Sequence, residues 1–218
     1  MTDCPGVAEF DRQLRQMLAF GYPQRARMPV RRFTAMVAPL RRLAAQVPIA
    51  PGTARGRIPF VIVVKTGVVA AAAVMPLVTV KGKTGLVDMR PVVPEEFALI
   101  AGMPVPDAPA YLLLNVATGR KTLNVTVARA LPRLRRQRRL PLTIDEGVAL
   151  AVQFPEVLQD KQRYNCFWMA GSRRGDRRVP AMWISFGRPR LGWCWENTPH
   201  TWLGTASCAG RVAAHCGG

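Results

Sequence analysis

The stretch that decides the fold is Ala181-Met-Trp-Ile-Ser-Phe-Gly-Arg-Pro-Arg-Leu-Gly-Trp-Cys-Trp195. It contains two apolar and aromatic runs separated by a short segment with Gly and Pro, a pattern typical of two strands joined by a turn. Similar runs at 166–170 and 201–206 flank it. We therefore expect a C-terminal antiparallel, Trp-rich sheet. Side chains alternate across a strand, so Trp193 and Trp195 should share one face and Cys194 should lie on the other.

The preceding sequence predicts an α+β fold with N-terminal helices and a central mixed sheet that carries short helices. Apolar residues at helical spacing, together with caps and breakers, predict helices over 7–20, from Val30 with a bend at Pro39, around 95–101, over 127–138 and from Thr143. Thr143 and Glu146 have the spacing of a capping box. Strands are expected at 59–65, 77–81, 85–89 and 111–116, with a hairpin turn over 82–85.

A stretch rich in Pro and Gly divides the chain into a helical N-terminal segment and an α+β domain. The helical segment covers 1–47, and a linker rich in Pro and Gly follows it. The α+β domain covers 58–211, with possible lobes at 58–120 and 121–211. Residues 212–218 are expected to form a flexible tail.

The hydropathy of the chain and its cysteine content indicate where in the cell the protein is located. Residues 58–80 carry one charge, Lys65, and are long enough to cross a bilayer. Gly67, Pro76 and a β-branched run instead favour a buried strand followed by a short helix, so we predict no membrane span. Five cysteines, an odd number, have no framework spacing, and the N-terminus lacks an apolar signal segment. These features predict reduced thiols and a cytoplasmic location.

The net charge is the strongest compositional signal. The chain has 31 Lys and Arg against 13 Asp and Glu, a net charge of +18, and the surplus flanks a neutral centre at 58–110. Such a surplus favours polyanions as partners, either RNA or DNA phosphates or an anionic membrane surface. Arg codons also accumulate in genomes of high GC content, and most of these side chains would then simply face water. Both explanations stay open.

Four segments carry a resemblance to a known family. They are Pro141-Leu-Thr-Ile-Asp-Glu-Gly147, Gly171-Ser-Arg173, Pro180-Ala-Met-Trp-Ile-Ser185 and Leu191-Gly-Trp-Cys-Trp-Glu-Asn-Thr-Pro-His-Thr-Trp-Leu-Gly204. Together they resemble an uncharacterised actinobacterial family, a domain of unknown function, over most of the chain from Phe20 to Arg211. The resemblance implies no activity, cofactor or catalytic residue.

Two groups of arginines are candidate phosphate contacts. The first is a basic loop with Arg173, Arg174, Arg177 and Arg178; the second is a tract with Arg133, Arg135, Arg136, Arg138 and Arg139. Aromatic residues are interleaved with the basic loop, as in single-stranded nucleic acid sites. The leading hypothesis is therefore a basic nucleic-acid- or ribosome-associated binding protein. Alternatively, the aromatics fill the core and the tract complements the dipole at a helix C-terminus.

Cys194 and His200 are candidate catalytic residues. A thiol beside an imidazole oriented by Glu196 or Asp145 would make a nucleophile and base pair, and would imply a small-molecule enzyme or ligand-binding protein. A structural histidine is the simpler interpretation. The spacing of Cys194, His200, Cys208, His215 and Cys216 does not fit a structural zinc site. We predict no metal and no cofactor. A protein-interaction module is a third possibility, and the oligomeric state stays open.

Overall fold

The computed structural model describes residues 4–49, 57–158 and 166–214. Seven α-helices lie in these ranges: α1 (Pro5–Ala19), α2 (Tyr22–Arg25), α3 (Val30–Val37), α4 (Leu40–Ala44), α5 (Ala71–Val74), α6 (Val127–Arg136) and α7 (Ile144–Gln153). Short 3-10 helices occupy Met75–Leu77, Pro94–Glu96, Arg120–Thr122 and Pro155–Leu158. The bend predicted at Pro39 is a break between two helices, since α3 ends at Val37 and α4 begins at Leu40.

Fourteen strands complete the described part of the chain. They are β1 (Arg57–Val64), β2 (Thr79–Val80), β3 (Lys83–Thr84), β4 (Leu86–Val87), β5 (Ala98–Leu99), β6 (Ala110–Ala117), β7 (Leu140–Pro141), β8 (Cys166–Trp168), β9 (Ser172–Arg173), β10 (Arg178–Ser185), β11 (Arg188–Trp195), β12 (Leu203–Thr205), β13 (Ser207–Cys208) and β14 (Gly210–Val212). With the helices, they confirm the α+β class.

The central sheet has the order β1-β6-β13-β7, and β14 also pairs with β6. All its pairings are antiparallel. Phe60, Val61, Ile62 and Val63 in β1 are at most 1% exposed. Both faces of this strand are therefore covered, which explains its unbroken apolar sequence.

The Trp-rich sheet has the order β12-β8-β10-β11-β4. Its centre is the predicted antiparallel hairpin, in which Met182 pairs with Leu191, and β8 joins it antiparallel. The two outer strands differ from the prediction because β12 pairs with β8, and β4 with β11, in parallel. Both enter from distant segments rather than through tight turns, and only such long connections permit parallel pairing.

Helix α7 lies between the two sheets. Nine of its ten residues are buried, and it packs against β1. A Cβ on Gly147 would lie 2.2 Å from Sδ of Met169, so the helix approaches the segment after β8 closely. The predicted capping box is confirmed: the Thr143 backbone N–H donates to Glu146 Oε2 at 2.8 Å, and Thr143 Oγ1 accepts from the Glu146 backbone N–H.

Helix α1 contacts the edge strand β1 of the central sheet, and α3 and α4 contact the neighbouring strand β6. Gln13 of α1 is fully buried; its Nε2 donates to the Phe60 carbonyl at 3.0 Å and its Oε1 accepts from the Ile62 N–H at 2.8 Å. The Gln13 amide thus satisfies backbone groups that an edge strand would leave open. Residues 50–56 of the predicted linker lie outside the described residues.

Two local predictions are wrong because long-range pairing decides these short segments. The hairpin joins β2 to β3 through Lys81 and Gly82, whereas β4 leaves to pair with β11. The helix expected around 95–101 is a 3-10 turn at 94–96 followed by β5, which pairs with β9. A two-residue strand has little propensity of its own and forms where a partner edge is available.

Four pairings cross the boundary predicted between the lobes at 120 and 121. Strand β6 pairs with β13 and with β14, β4 pairs with β11, and β5 pairs with β9. Val212, where the tail was expected to begin, still pairs with Leu112, and residues 215–218 lie outside the described ranges. In the described ranges, no helix combines the length and apolarity needed to cross a membrane.

Candidate anion-binding cleft

A cleft of about 770 Å³ opens between residues 117–122, the C-terminal half of α6 and the segment 205–207. Five cationic side chains line it: Arg120, Lys121, Arg133, Arg136 and Arg139. Within the described residues, no Asp or Glu belongs to its wall. The cleft therefore has one sign of charge, an arrangement that raises the local concentration of anions.

The rim that carries Arg120 and Lys121 is fixed by its neighbours Gly119 and Thr122. Gly119 has φ 86°, and a Cβ there would lie 2.4 Å from the backbone of Thr205. Thr122 Oγ1 donates to the Gly119 carbonyl at 2.7 Å and accepts from the Thr205 N–H at 2.8 Å. These contacts hold the loop against β12, so the two rim cations start from a rigid backbone.

Helix α6 supplies the opposite wall. Thr126 caps its N-terminus by accepting from the Arg129 N–H. Val127 and Leu131 pack on the Trp-rich sheet. The predicted basic tract lies on the outer side and just beyond the helix. Arg133, Arg135, Arg136 and Arg138 are exposed there and form no ion pair with any described residue.

Arg139 differs from the rest of the tract because its guanidinium is held in place. It donates to Ser207 Oγ at 2.8 Å, to the Ser207 carbonyl at 2.9 Å and to the Asn115 carbonyl at 2.7 Å. These bonds join the cleft floor to β6 and β13. The cleft therefore has one guanidinium in a fixed position, that of Arg139, and two that are free to adjust to a ligand, those of Arg133 and Arg136.

The predicted basic loop has a different environment, because its arginines pair with carboxylates. Arg173 lies 2.8 Å from Glu196, and Arg174 lies 2.9 Å from Glu96 and also contacts Asp176. Arg178 lies 3.2 Å from Asp176, and Arg177 3.8 Å from Glu196. The N–H of Val93 and the Arg174 guanidinium hold the pKa of Glu96 below its usual value. The loop charge is therefore largely used within the fold, unlike that of the tract.

A family model matches residues 16–214, and its description is a family of unknown function, DUF5701. The chain belongs to DUF5701. The match includes both sheets and the whole cleft. No curated protein and no solved structure matches this DUF5701 chain. The resemblance to a domain-of-unknown-function family is thereby confirmed, and the cleft has to be interpreted from its own chemistry.

The tryptophans of the DUF5701 chain divide between core and surface. Trp168 is fully buried, whereas Trp195 and Trp202 are nearly half exposed. Trp193 and Trp195 share a face as predicted, with ring centroids 5.2 Å apart. The Arg178 guanidinium lies 4.4 Å from the Trp193 ring centroid and 5.3 Å from that of Trp195. Arg178 is thus engaged by both a carboxylate and two rings.

Cys194 and His200 are not joined by a hydrogen bond in the described part of the DUF5701 chain. Burial raises the pKa of the Cys194 thiol to about 11, so the thiol is protonated near neutral pH. Desolvation lowers the pKa of His200, whose ring centroid lies 5.0 Å from that of Trp202. Glu196 pairs with Arg173, and Asp145 accepts from Thr66, so neither orients the imidazole.

A second cleft, of about 440 Å³, lies near the N-terminus of α7. It is lined by Lys65, Asp107, Tyr111 and Asp145, among others. Burial raises the pKa of Asp145, which accepts from the Thr66 N–H and Oγ1. Neither cleft includes Cys194 or His200. Among the residues that the structure describes, no three His, Cys, Asp or Glu groups converge as metal ligands.

Sequence reasoning missed Arg120 and Lys121, which complete the cationic cleft. The only signal was Gly119-Arg-Lys directly after a buried strand. A turn residue followed by two cations is common on any surface. Nothing in the sequence indicated that β12 and the C-terminal half of α6 close around this turn, because Arg133 follows Lys121 by twelve residues and β12 begins about eighty residues after it.

Proposed function

We propose that this DUF5701 protein binds nucleic acid, with the phosphate backbone running through the cationic cleft. Arg133 and Arg136 from α6 contact phosphates on one side, and Arg120 and Lys121 do so on the other. The observation that carries the proposal is the convergence of five cations on about 770 Å³ without a carboxylate among the described lining residues. The predicted cytoplasmic location and actinobacterial origin stay predictions beside it.

The charge of the cleft is costly for the free protein. Like charges that converge without counter-charges repel one another, and a bound polyanion relieves the repulsion while releasing condensed counterions. Arg135 and Arg138 are exposed beside the cleft and extend the cationic surface along and beyond α6. Such a surface fits a continuous backbone with little base selectivity, because phosphate contacts carry no sequence information.

The basic loop is given no phosphate contact in this proposal. Arg173 and Arg174 would have to leave Glu196 and Glu96 before they could bind phosphate. Breaking those pairs uncovers carboxylates that repel the same ligand. The two arginine groups of the sequence therefore separate into a ligand-facing tract and a structural loop.

The test is a fluorescence-anisotropy titration of a short single-stranded RNA and a DNA duplex at several salt concentrations. Replacing Arg133 and Arg136 by Ser should weaken RNA binding and flatten the plot of log affinity against log salt by about 1.4, at about 0.7 per lost contact. The matched control is R31S/R32S, which removes two exposed arginines from α3. Equal losses in both double variants, or no binding by the wild type, would contradict the proposal.

The cleft volume also supports a second candidate, a small phosphorylated ligand, because small-molecule pockets typically enclose about 300–1,000 Å³. The sequence had suggested a small-molecule site near Cys194, whereas this candidate places the ligand in the cationic cleft. A mononucleotide that saturates the cleft and displaces RNA at equal occupancy would favour it. If binding instead grows steadily with RNA length, the polymer is the ligand, because each added phosphate contributes a further contact.

A further inference from the structure

The turn between β10 and β11 projects a phenylalanine into solvent. Ser185 pairs with Arg188, so the connecting turn is the dipeptide Phe186-Gly187. Both residues have positive φ, 50° and 73°. The side chain of Phe186 is 87% exposed, the largest exposure among the large hydrophobic residues of the described chain.

This residue is unfavourable for folding in two independent ways. A two-residue turn with positive φ at both positions favours Asn or Asp followed by Gly, and a bulky side chain is strained there. The ring also gains little burial, and its cation–π contact is with the Arg190 guanidinium, 5.7 Å from the ring centroid. A strained, exposed aromatic points to a role outside the fold.

The neighbouring hairpin gives this tip a cationic surrounding. Lys81 and Gly82, at φ 48° and 75°, form the turn between β2 and β3. Lys83 Nζ donates to the Phe186 carbonyl at 3.0 Å, and Arg188 Nε donates to the Thr84 carbonyl at 3.0 Å. The two turns are thus tied together side by side.

The cations of the paired turns are not neutralised by carboxylates of the described chain. Lys81, Lys83 and Arg188 form no ion pair with any described residue, whereas the adjacent Arg190 is paired with Asp88. A Cβ on Gly82 would meet nothing within 4 Å, so this end of the molecule faces open space.

We propose that the paired turns attach the protein to an anionic lipid surface, with Phe186 entering the headgroup region and Lys81, Lys83 and Arg188 facing the lipid phosphates. An apolar tip with cations behind it matches the layered order of a bilayer surface, where acyl chains lie below anionic headgroups. The site shares no residue with the cationic cleft, so the inference goes beyond the proposed function and does not depend on it.

The arrangement fits a lipid surface better than a nucleic acid. An aromatic wedge between bases needs cations beside it, along the path of the phosphates. Here Lys83 is bonded to the backbone carbonyl of Phe186, and the cation beside the ring, Arg190, is paired with Asp88. The Phe186 side chain is 87% exposed, so it does not lie in a groove. Nucleic acid contact by the tip is therefore kept as an outcome of the test.

The experiment is co-sedimentation of the full chain with vesicles at about 0.15 M salt, using phosphatidylcholine alone or with about one third phosphatidylserine. Phe186→Asn removes the ring and supplies the residue that the turn favours. We expect it to raise the melting temperature and to lower partitioning onto serine-containing vesicles about ten-fold. K81N relieves the equivalent turn of the other hairpin and should lower partitioning only about five-fold, the effect of one surface cation.

The controls separate insertion from general basicity. V93S removes an exposed apolar side chain elsewhere and should partition like the wild type. R133S/R136S should keep at least the part of vesicle binding that depends on Phe186. The lipid proposal can therefore hold even if the cationic cleft does not bind nucleic acid. Partitioning of F186N equal to that of the wild type would overturn the inference. It would also be overturned if F186N lowered RNA affinity while leaving partitioning unchanged.

Discussion

Arg211 and Glu146 form a bidentate ion pair in which both side chains are withdrawn from solvent, at 1% and 0% exposure. Arg211 Nη2 lies 2.8 Å from Glu146 Oε2, and the Tyr111 hydroxyl donates to Glu146 Oε1 at 2.7 Å. Burial lowers the pKa of Arg211, but the hydrogen bond to Glu146 and the charge of that carboxylate outweigh it, so the pKa lies above its usual value. The pair joins β14 to α7 and β6 at the centre of the molecule.

Removing one partner of this pair should be severely destabilising. R211M leaves the Glu146 carboxylate buried without its counter-charge, and we expect the free energy of unfolding to fall by about 3–5 kcal/mol. The double variant E146Q/R211M removes both charges and should recover part of the loss. Urea unfolding followed by circular dichroism measures both. A single variant as stable as the wild type would show that the pair is dispensable.

Gly119→Ala tests the rim of the cationic cleft. The new Cβ would lie 2.4 Å from the Thr205 backbone at a φ of 86°, so the loop must move or the strand must give way. We expect a loss of more than about 2 kcal/mol in the free energy of unfolding, together with weaker RNA binding. Gly102→Ala is the matched control, since its φ is 71° but a Cβ there meets nothing within 4 Å. Equal losses in the two variants would assign the effect to φ alone.

His200 should make stability depend on pH in the mildly acidic range. Desolvation lowers its pKa below the ordinary value of 6.5, so at pH values under 6.5 the unfolded chain binds a proton that the folded chain does not. The free energy of unfolding therefore falls as the pH drops through 6.5 toward the folded pKa.

H200F should flatten that part of the profile, measured by urea unfolding between about pH 5.5 and 7.5, above the range of ordinary carboxylates. The carboxyl groups of Asp11 and Glu96 have lowered pKa values, so their contributions are lost only at more acidic pH. Burial raises the pKa of Asp145, which gives a slope of the opposite sign that the wild type and H200F share. An unchanged slope in H200F would show that another group titrates there.

Cys194 should behave as an unreactive thiol at neutral pH. Burial raises its pKa to about 11, and that of Cys208 to about 12. Alkylation by iodoacetamide followed by peptide mass spectrometry should label both slowly at pH 7 and faster as the pH approaches 10. Rapid labelling of Cys194 with a transition below pH 8 would contradict this and revive a nucleophilic role.

Arg173→Gln tests the structural role of the basic loop. The change leaves Glu196, which is 23% exposed, without its closer cationic partner. We expect a loss of about 1–2 kcal/mol in stability and an unchanged salt dependence of RNA binding. Arg177→Gln is the matched control, because Arg177 is 73% exposed and its contact with Glu196 is 3.8 Å. A flatter salt dependence for Arg173→Gln alone would return the loop to the binding surface.

The elements with strong local signals were predictable from sequence. The hairpin of β10 and β11, the long strands β1 and β6, and α7 with its Thr143 to Glu146 capping box all follow from periodicity and caps. The partners of the two-residue strands were not predictable. Strand β4 lies within the strand predicted at 85–89 but pairs with β11 about a hundred residues away, and β5 replaces a predicted helix by pairing with β9 about seventy residues away. The same holds for the site: sequence shows five arginines in a tract but not the loop at Arg120 that closes around them.

The carboxylate partners of the basic loop were equally hidden. Glu96 comes from a distant 3-10 turn and meets Arg174 because β5 pairs with β9. A count of charges treats Arg174 and Arg135 alike, whereas the fold neutralises one and exposes the other. Net charge therefore predicted the class of partner proposed here, and only tertiary structure distinguishes which cations are available to it.

The pairing of β6 with β13 and β14 sets an order on synthesis. While a ribosome makes the chain, β6 emerges with β1 as its neighbour, and its other edge stays open until residues 207–212 follow about ninety residues later. The buried carboxylate of Glu146 likewise waits for Arg211. Until then, the nascent chain has an unpaired edge on β6 and a carboxylate, Glu146, without its counter-charge. The central sheet is completed only when β13 and β14 have left the exit tunnel.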